Sequence, residues 1–288
     1  MRILMLHGYA QNGSIFRHKL RRLEESIRVV YPNVTFKWLD GPVQLRTNAV
    51  PDVYEVTPKD LLDLRGWFDL RDEAIEQPPA ALGESLALVA DVLARDGPFD
   101  GIIAFSQGTT IATMVASLLE DGRRQEAFAS ALRCGKKIMP YPDNILNSNH
   151  PPLRFAILYA TRLGEGHLYR WLYSDPAIQT PFCNFIGEWD PMLGIAHRDA
   201  VRQCLTACST SSIILHQGAH FVPTTASSVS VLLDFLSDVQ KEAPVHVDGA
   251  SKDDDAVHPA CSTDRQEKST RKRVRRLIRA RDFALQVS

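Results

Sequence analysis

Residues 101–108 (GIIAFSQG) constrain the fold of this chain more than any other stretch. A short apolar strand ends at Ser106, which has small residues two positions before and after it, and a helical pattern follows at once. A serine on so tight a strand-to-helix turn is held in a strained backbone conformation, and bulky side chains two residues away would collide. The turn places the serine oxygen next to helix N-terminal amides, which favour negative charge. The pattern predicts a nucleophile elbow; the alternative is a buried strand followed by an ordinary helix cap.

Two later segments favour the elbow. Residues 182–187 form a predicted buried strand, and Asp190 follows its end. Residues 211–216 form a second predicted strand, and His220 comes shortly after it. The chain order Ser106, Asp190, His220 is the order found in α/β-hydrolases. Because ligands of open parallel sheets bind beyond the carboxyl ends of the strands, we expect all three side chains at that edge.

Composition restricts the class of protein. With 288 residues, of which 44% are apolar, the chain is long enough to bury one sizeable core. A net charge of −1 gives no overall bias towards nucleic acid or an anionic membrane, and nucleic acid is not an expected partner. No apolar run of about 18 residues predicts a membrane span. The chain opens directly with a predicted strand, and its 5 cysteines lack paired spacing; these features predict a leaderless protein in the cytoplasm.

Apolar strands alternate with helical patterns along the chain. This alternation predicts an α/β fold with a mostly parallel central sheet and helices on both faces. Strands are expected at residues 2–6, 34–39, 101–105, 154–159, 182–187 and 211–216. Helices are expected at residues 15–31, 83–95, 107–119, 197–207 and 226–239.

Two regions break this alternation. Residues 41–80 are rich in proline and contain Tyr54, Trp67 and Phe68. They predict a lid-like or substrate-pocket insertion; a surface excursion anchored in the core is the alternative. After residue 240 the composition becomes polar, with a basic segment at residues 271–279. We therefore expect an α/β-hydrolase domain at residues 1–240 and a disordered tail at residues 241–288; the alternative for its basic segment is contact with a membrane surface, RNA or an acidic partner.

Joined to the elbow, three further motifs give a specific resemblance. The elbow motif is AFSQG at residues 104–108, and the three further motifs are LHGYAQN at 6–12, GEWD at 187–190 and GAHFVP at 218–223. Over about residues 1–240 the chain resembles the fungal serine hydrolase family of the α/β-hydrolase superfamily. Ala104 and Ala219 depart from the family pattern, because each adds a methyl group where glycine is usual.

The resemblance implies hydrolysis of an acyl group by a covalent serine mechanism, with no cofactor and no metal. Ser106 is the expected nucleophile, His220 the expected base, and Asp190 the carboxylate that orients it. The backbone N–H groups of Tyr9 and Gln107 are the expected oxyanion hole.

Three further residues compete for these roles. His216 ends a predicted strand four residues before His220, and we interpret it as structural. His7 is interpreted as shaping the first loop rather than acting as a base. Asp199, on a predicted helix, is the alternative acid in case Asp190 points away.

Members of this family divide between general carboxylesterases and thioesterases that release or edit polyketides held on an acyl carrier protein. The aromatic residues Tyr54, Trp67 and Phe68 are the expected substrate contacts and favour the thioesterase. A basic face at residues 17–22 favours docking of an acidic carrier protein, although a solvated helix face fits it equally well.

The expected substrate is therefore a small-molecule acyl ester or thioester in fungal secondary metabolism. Two alternatives stay open. One is a stand-alone short-chain carboxylesterase or deacetylase without a carrier partner. The other is a non-catalytic interaction module with a hydrolase fold.

Overall fold

The computed structural model describes residues 1–45, 63–68, 80–120, 122–135, 141–163, 172, 177–192, 208, 211–241 and 278–279. Its strands are β1 (Arg2–Leu6), β2 (Thr35–Leu39), β3 (Val43–Gln44), β4 (Arg65–Gly66), β5 (Gly101–Phe105), β6 (Phe155–Tyr159), β7 (Phe182–Gly187), β8 (Ser212–His216) and β9 (Ile278–Arg279). Its helices are α1 (Gly13–Lys19), α2 (Arg21–Val30), α3 (Ala80–Asp96), α4 (Gln107–Leu118), α5 (Arg123–Arg133), α6 (Asp143–Asn147) and α7 (Ala226–Lys241).

One sheet organises the described part of the chain. Its strand order is β2-β1-β5-β6-β7-β8-β9, and each neighbouring pair is parallel. Strands β5, β6 and β7 are buried along their whole length, which matches their continuous apolar sequences. The predicted α/β fold with a mostly parallel sheet is confirmed. The carboxyl ends of β5, β7 and β8 consequently lie at the same edge.

The core has a layer on each face of the sheet, because successive residues of a strand point to opposite sides. In β1, Leu4 and Leu6 pack into the layer that contains residues of α3 and α4. Ile3 and Met5 pack into the other layer, with residues of α1, α2 and α7. The helices therefore cover both faces. No helix in the described ranges is long and apolar enough to cross a membrane.

The helix expected at residues 15–31 is instead two helices. The chain bends at Leu20, whose φ of −95° and ψ of 7° end α1 and begin α2. Leu20 is buried, and the bend allows Phe16 of α1 and Leu23 of α2 to enter the same core layer. The bend thus serves packing, and no proline or glycine at this point signals it.

Other predicted elements fall partly or wholly outside the described residues. Within the insertion expected at residues 41–80, the described part contains the short antiparallel pair β3–β4. The helix expected at residues 197–207 lies outside the described residues. So do residues 242–277 and 280–288 of the tail, for which disorder stays a prediction. Strand β9, inside that tail, pairs with Ile214 and Leu215 of β8.

Replacing Ile157 with alanine tests the importance of the sheet core. Ile157 lies in the middle of β6 with 0% of its surface exposed. We expect Ile157→Ala to lower the free energy of unfolding by about 2–5 kcal/mol, because it removes buried methyl groups and leaves a cavity. Val29→Ala is the matched control, since Val29 is 81% exposed on α2; its effect should stay within about 0.5 kcal/mol. Equal losses in urea unfolding would contradict this account of the core.

Candidate active site

Ser106 occupies the sharp turn between β5 and α4. Its φ of 50° and ψ of −120° lie in a region that residues other than glycine rarely adopt. The backbone holds this conformation from both sides. The Ser106 N–H donates to the carbonyl of Tyr159 at 2.9 Å, and the Ser106 carbonyl accepts from the Thr109 N–H at 2.9 Å. The strain expected of a nucleophile elbow is thus present, and neighbouring hydrogen bonds maintain it.

The loop after β1 lies against this elbow at two glycines. A Cβ on Gly8 would come within 2.7 Å of the Phe105 ring and 3.2 Å of Ser106 Cβ. A Cβ on Gly108 would come within 2.5 Å of the His7 carbonyl oxygen. Such distances are shorter than packed side chains allow, so only glycine permits this close approach.

Ser106, His220 and Asp190 form one hydrogen-bonded chain. His220 Nε2 lies 2.8 Å from Ser106 Oγ, and His220 Nδ1 lies 2.7 Å from Asp190 Oδ2. Because a carboxylate can only accept, Nδ1 carries the ring proton and donates it to Asp190. The lone pair of Nε2 is therefore directed at the serine hydroxyl.

Asp190 and His220 are fixed by their surroundings. Asp190 Oδ1 accepts from the Met192 N–H at 2.9 Å, so both carboxylate oxygens have partners. The His220 ring packs against the Phe105 ring with centroids 5.0 Å apart. The Asp190 side chain is fully buried, whereas 12% of the His220 side chain is exposed. The imidazole therefore has access to the surface while its carboxylate partner does not.

The residues that compete for these roles take other positions. His7 is fully buried, its Nδ1 donates to the Gly8 carbonyl at 2.7 Å, and its Nε2 accepts from the Gly41 N–H at 2.9 Å. Both nitrogens are thus used to hold the loop after β1. His216 is buried and packs against Phe221 at 5.3 Å, and burial lowers its pKa. Asp199 lies outside the described residues.

Tyr9 and Gln107 lie on the two segments that meet at Ser106. Tyr9 directly follows Gly8 in the loop after β1, and Gln107 is the first residue of α4. The first N–H groups of a helix have no acceptor within the helix, which leaves the Gln107 amide suited to an external oxygen.

A cleft of about 510 Å³ opens beside His220. Its walls are mainly apolar, with three polar side chains among them. The lining residues are Gln11, Phe16, Lys19, Phe105, Pro191, Met192, Ala219, His220, Phe221 and Val222. A cleft of this size and lining suits an apolar organic group next to the His220 ring.

The structure places Trp67 and Phe68 in the core rather than in this cleft. Trp67 is 0% exposed and Phe68 is 5% exposed, and both pack in the layer with α3. Trp67 is held there because its indole N–H donates to the His7 carbonyl at 2.8 Å. The expectation that these two aromatics contact substrate therefore needs correction. Tyr54, the third expected contact, lies outside the described residues.

Sequence reasoning did not identify the contacts of four residues in this region. Phe16 and Met192 line the cleft although the sequence assigned them no role. The side chains of Gln11 and Gln107 bind backbone groups around the elbow. Both glutamines belong to motifs on which the family resemblance rests, so the sequence did mark these positions. A motif does not show which groups a side chain contacts.

The parallel sheet, the elbow and the order of the three side chains define an α/β-hydrolase. The crystal structure of Zea mays acyl-protein thioesterase 2 has the same fold, with a TM-score of 0.50 and 19% identity. That alignment covers 83% of this chain and 93% of the maize chain.

A sequence profile described as Serine hydrolase (FSH1) matches residues 1–232. The chain therefore belongs to this family, and the resemblance drawn from the motifs is confirmed. An uncharacterized hydrolase of Schizosaccharomyces pombe is 26% identical over 256 residues, which cover 84% of this chain and 52% of that protein. The esterase OVCA2 of Danio rerio is 28% identical over 255 residues, which cover 83% of this chain and 98% of the esterase. This chain thus spans about half the length of the S. pombe relative.

The buried His7 predicts a pH dependence of stability. Burial lowers the pKa of His7 from 6.5 to about 4. Between these values the unfolded chain binds the proton more readily than the folded chain, so stability is lost as the pH falls through this window. At about 1.4 kcal/mol per pKa unit, His7 accounts for a loss of about 3 kcal/mol in the free energy of unfolding once the pH has fallen below both pKa values.

His7→Gln should remove this contribution. Urea unfolding of both proteins between pH 6.5 and 4 measures it: we expect the variant to lose less stability across the window than the original protein. Parallel curves would show that His7 is not held neutral by burial.

Proposed function

We propose that this protein hydrolyses acyl esters or thioesters through a covalent intermediate on Ser106. The hydrogen-bonded chain from Asp190 through His220 to Ser106 is the observation that carries the proposal. Membership of the Serine hydrolase (FSH1) family supports the same chemistry. So does the esterase OVCA2 of Danio rerio, which is named for ester hydrolysis.

The mechanism follows from the proton positions in the site. Ser106 Oγ attacks the acyl carbonyl carbon while its proton passes to His220 Nε2. Asp190 stabilises the imidazolium that forms, because its Oδ2 already accepts from Nδ1 at 2.7 Å. His220 then donates the proton to the leaving oxygen or sulfur, and the acyl group stays on Ser106. A water molecule, deprotonated by the same imidazole, then attacks the acyl carbon; the bond to Ser106 Oγ breaks, His220 returns the proton to Oγ, and the acid is released.

The Tyr9 and Gln107 N–H groups stabilise the oxyanion in this proposal. The close approach of Gly8 to Ser106 supports it, since the loop after β1 must reach the elbow for both amides to meet one oxygen. Loss of one donor of this kind typically lowers turnover by about 10²–10³-fold.

The cleft beside His220 indicates an apolar acyl group. A longer acyl group buries more apolar surface against the aromatic and aliphatic walls of the cleft than an acetyl group does. An oxygen ester and a thioester need the same protein groups, so both remain substrates of the proposed reaction.

We extend the proposal to a polyketide thioester held on an acyl carrier protein in the cytoplasm. The maize protein of the same fold is named acyl-protein thioesterase 2, which supports the thioester. The basic residues Arg17, Arg21 and Arg22 are exposed on α1 and α2, which suits an acidic carrier, although Arg17 also pairs with Glu24 at 3.3 Å. Cys134 and Cys183 form no disulfide, as is usual in a reducing compartment.

Removal of the Ser106 hydroxyl tests the nucleophile. We expect Ser106→Ala to abolish labelling by a fluorophosphonate and to lower kcat/KM for p-nitrophenyl esters by at least about 10⁴-fold. Ser117→Ala is the matched control, because it removes a buried hydroxyl that lies in α4, the helix after Ser106, and donates to the Leu172 carbonyl rather than to His220. Labelling of Ser106→Ala as strong as that of the control would refute the assignment. If the unmutated protein is folded but is neither labelled nor active, the result would instead support the non-catalytic interaction module.

The acyl preference is tested with matched substrates. Oxygen esters of p-nitrophenol and thioesters of N-acetylcysteamine should both show kcat/KM rising from acetyl to longer acyl chains, because longer chains bury more apolar surface in the cleft. A maximum at acetyl for both series would favour the short-chain carboxylesterase or deacetylase and exclude the polyketide substrate.

Charge reversal tests the carrier protein. Arg21→Glu should raise KM for an acyl group on a carrier protein and leave kcat/KM for the matching N-acetylcysteamine thioester unchanged, since only the carrier meets the helix face. Equal kinetics of the variant and the original protein on the carrier-bound substrate would remove the carrier from the proposal.

A further inference from the structure

Residues 63–68, here called the strap, cross the loop after β1. The Arg65 N–H donates to the Gln11 carbonyl at 2.8 Å. The Trp67 indole N–H donates to the His7 carbonyl at 2.8 Å. Two separate points of the strap thus bind the backbone on either side of Tyr9.

The strap also binds the elbow, through one side chain. Gln107 Oε1 accepts from the Trp67 N–H at 2.9 Å, and Gln107 Nε2 donates to the Phe68 carbonyl at 2.7 Å. The primary amide therefore pairs with two successive backbone groups of the strap. Its two ends cannot exchange places without bringing donor against donor and acceptor against acceptor.

These contacts are shielded from water. Trp67 is 0% exposed, Gln107 is 3% exposed and Gln11 is 4% exposed. Buried backbone groups that lose a partner cannot turn to solvent, so removing the Gln107 amide would leave two of them unpaired. The two hydrogen bonds of the Gln107 side chain therefore fix the position of the strap relative to the elbow.

We propose that the strap sets the separation of the two oxyanion-hole amides, with Gln107 and Trp67 as positioning residues. The Gln107 side chain joins the strap to the elbow, which carries the Gln107 N–H. The Trp67 indole joins the strap to the loop, which carries the Tyr9 N–H. This inference rests on the proposed function, because the two amides matter only where an oxyanion forms.

The effect on rate follows from the geometry that oxyanion stabilisation requires. Donors act when they lie about 2.7–3.1 Å from the oxygen of the tetrahedral intermediate, so a small displacement of one segment loses most of the benefit. The hydrogen bonds described above join the strap to both segments, and none of these bonds involves Ser106, His220 or Asp190. The strap should therefore control stabilisation of the transition state without changing the pH dependence of kcat.

Gln107→Met tests the join to the elbow. Methionine has a similar length but neither donor nor acceptor for the strap, and the backbone N–H of position 107 remains. We expect kcat to fall about 10- to 100-fold while KM changes less than about threefold, because misplacement by about 1 Å can cost 10²-fold. The pH at half-maximal kcat should stay the same. A role in folding alone would lower stability but leave the kcat of the folded fraction unchanged.

Thr113→Val is the matched control for this variant. Thr113 is 0% exposed in the same helix, and its hydroxyl donates to the Thr109 carbonyl at 2.7 Å. The control therefore loses a buried hydrogen bond without touching the strap, and its kcat should stay within about twofold of the original. A kcat loss of equal size in both variants would overturn the proposal.

Trp67→Phe tests the join to the loop. It keeps an aromatic ring but removes the indole N–H that donates to the His7 carbonyl. If the strap acts as a unit, the double variant with Gln107→Met should lose little more activity than the more affected single variant. Losses in kcat that multiply would show two independent effects and would overturn the strap as a single device.

Hydrogen exchange provides a readout that does not depend on turnover. In Gln107→Met, we expect faster exchange in peptides covering residues 6–12, because the loosened strap would hold that loop less firmly. The strap's hydrogen bonds to the loop come from Arg65 and Trp67, so the effect of Gln107 on the loop would pass through the strap. Thr113→Val should leave this exchange unchanged. Unchanged exchange at residues 6–12 in Gln107→Met would refute the strap even in a fully active enzyme. Inactivity of the unmutated protein towards every ester and thioester would refute the proposed function instead.

Discussion

Parallel pairing of β5, β6, β7 and β8 is the constraint on which the site depends. It brings the segments that carry Ser106, Asp190 and His220 to one edge of the sheet, although they are far apart in sequence. The register of β7 and β8, with Gly187 opposite His216, sets where the loops after them begin. A slip of one residue would move a loop by about 3.3 Å, which is more than a hydrogen bond of 2.8 Å between His220 and Ser106 tolerates.

A second constraint is the close contact between the loop after β1 and the elbow. Gly8 and Gly108 permit it, and the buried neutral His7 holds the loop from its other side. Desolvation keeps this imidazole uncharged, so its two nitrogens act as a fixed donor and a fixed acceptor. The strap binds the same loop through the Trp67 indole and the elbow through the Gln107 side chain. Groups that face the oxyanion in the proposed reaction are thus held before substrate arrives, as electrostatic stabilisation requires.

The sequence predicted those parts of the fold that have a strong local signal. Strands β1, β5 and β7 agree with the predicted bounds because each is a continuous apolar run next to a turn. The approach of Ser106, Asp190 and His220 followed from strand ends and chain order. The strap could not be predicted, since β3 and β4 contain two residues each and depend on partners far away in sequence. The prediction that Trp67 contacts substrate was wrong for a related reason. A large aromatic residue is compatible with a core and with a pocket, and the hydrogen bond from the indole N–H to the His7 carbonyl, which places Trp67 in the core, is not visible in the sequence.

The most direct test of the account is to locate the acyl group on the protein during turnover. The protein is mixed with a slowly released ester, quenched in acid within one turnover and mapped by peptide mass spectrometry. We expect the added acyl mass on the peptide that contains Ser106, and its disappearance on longer incubation as water releases the acid. Acyl mass on a different residue, or turnover with no acylated peptide at any time, would contradict the covalent mechanism.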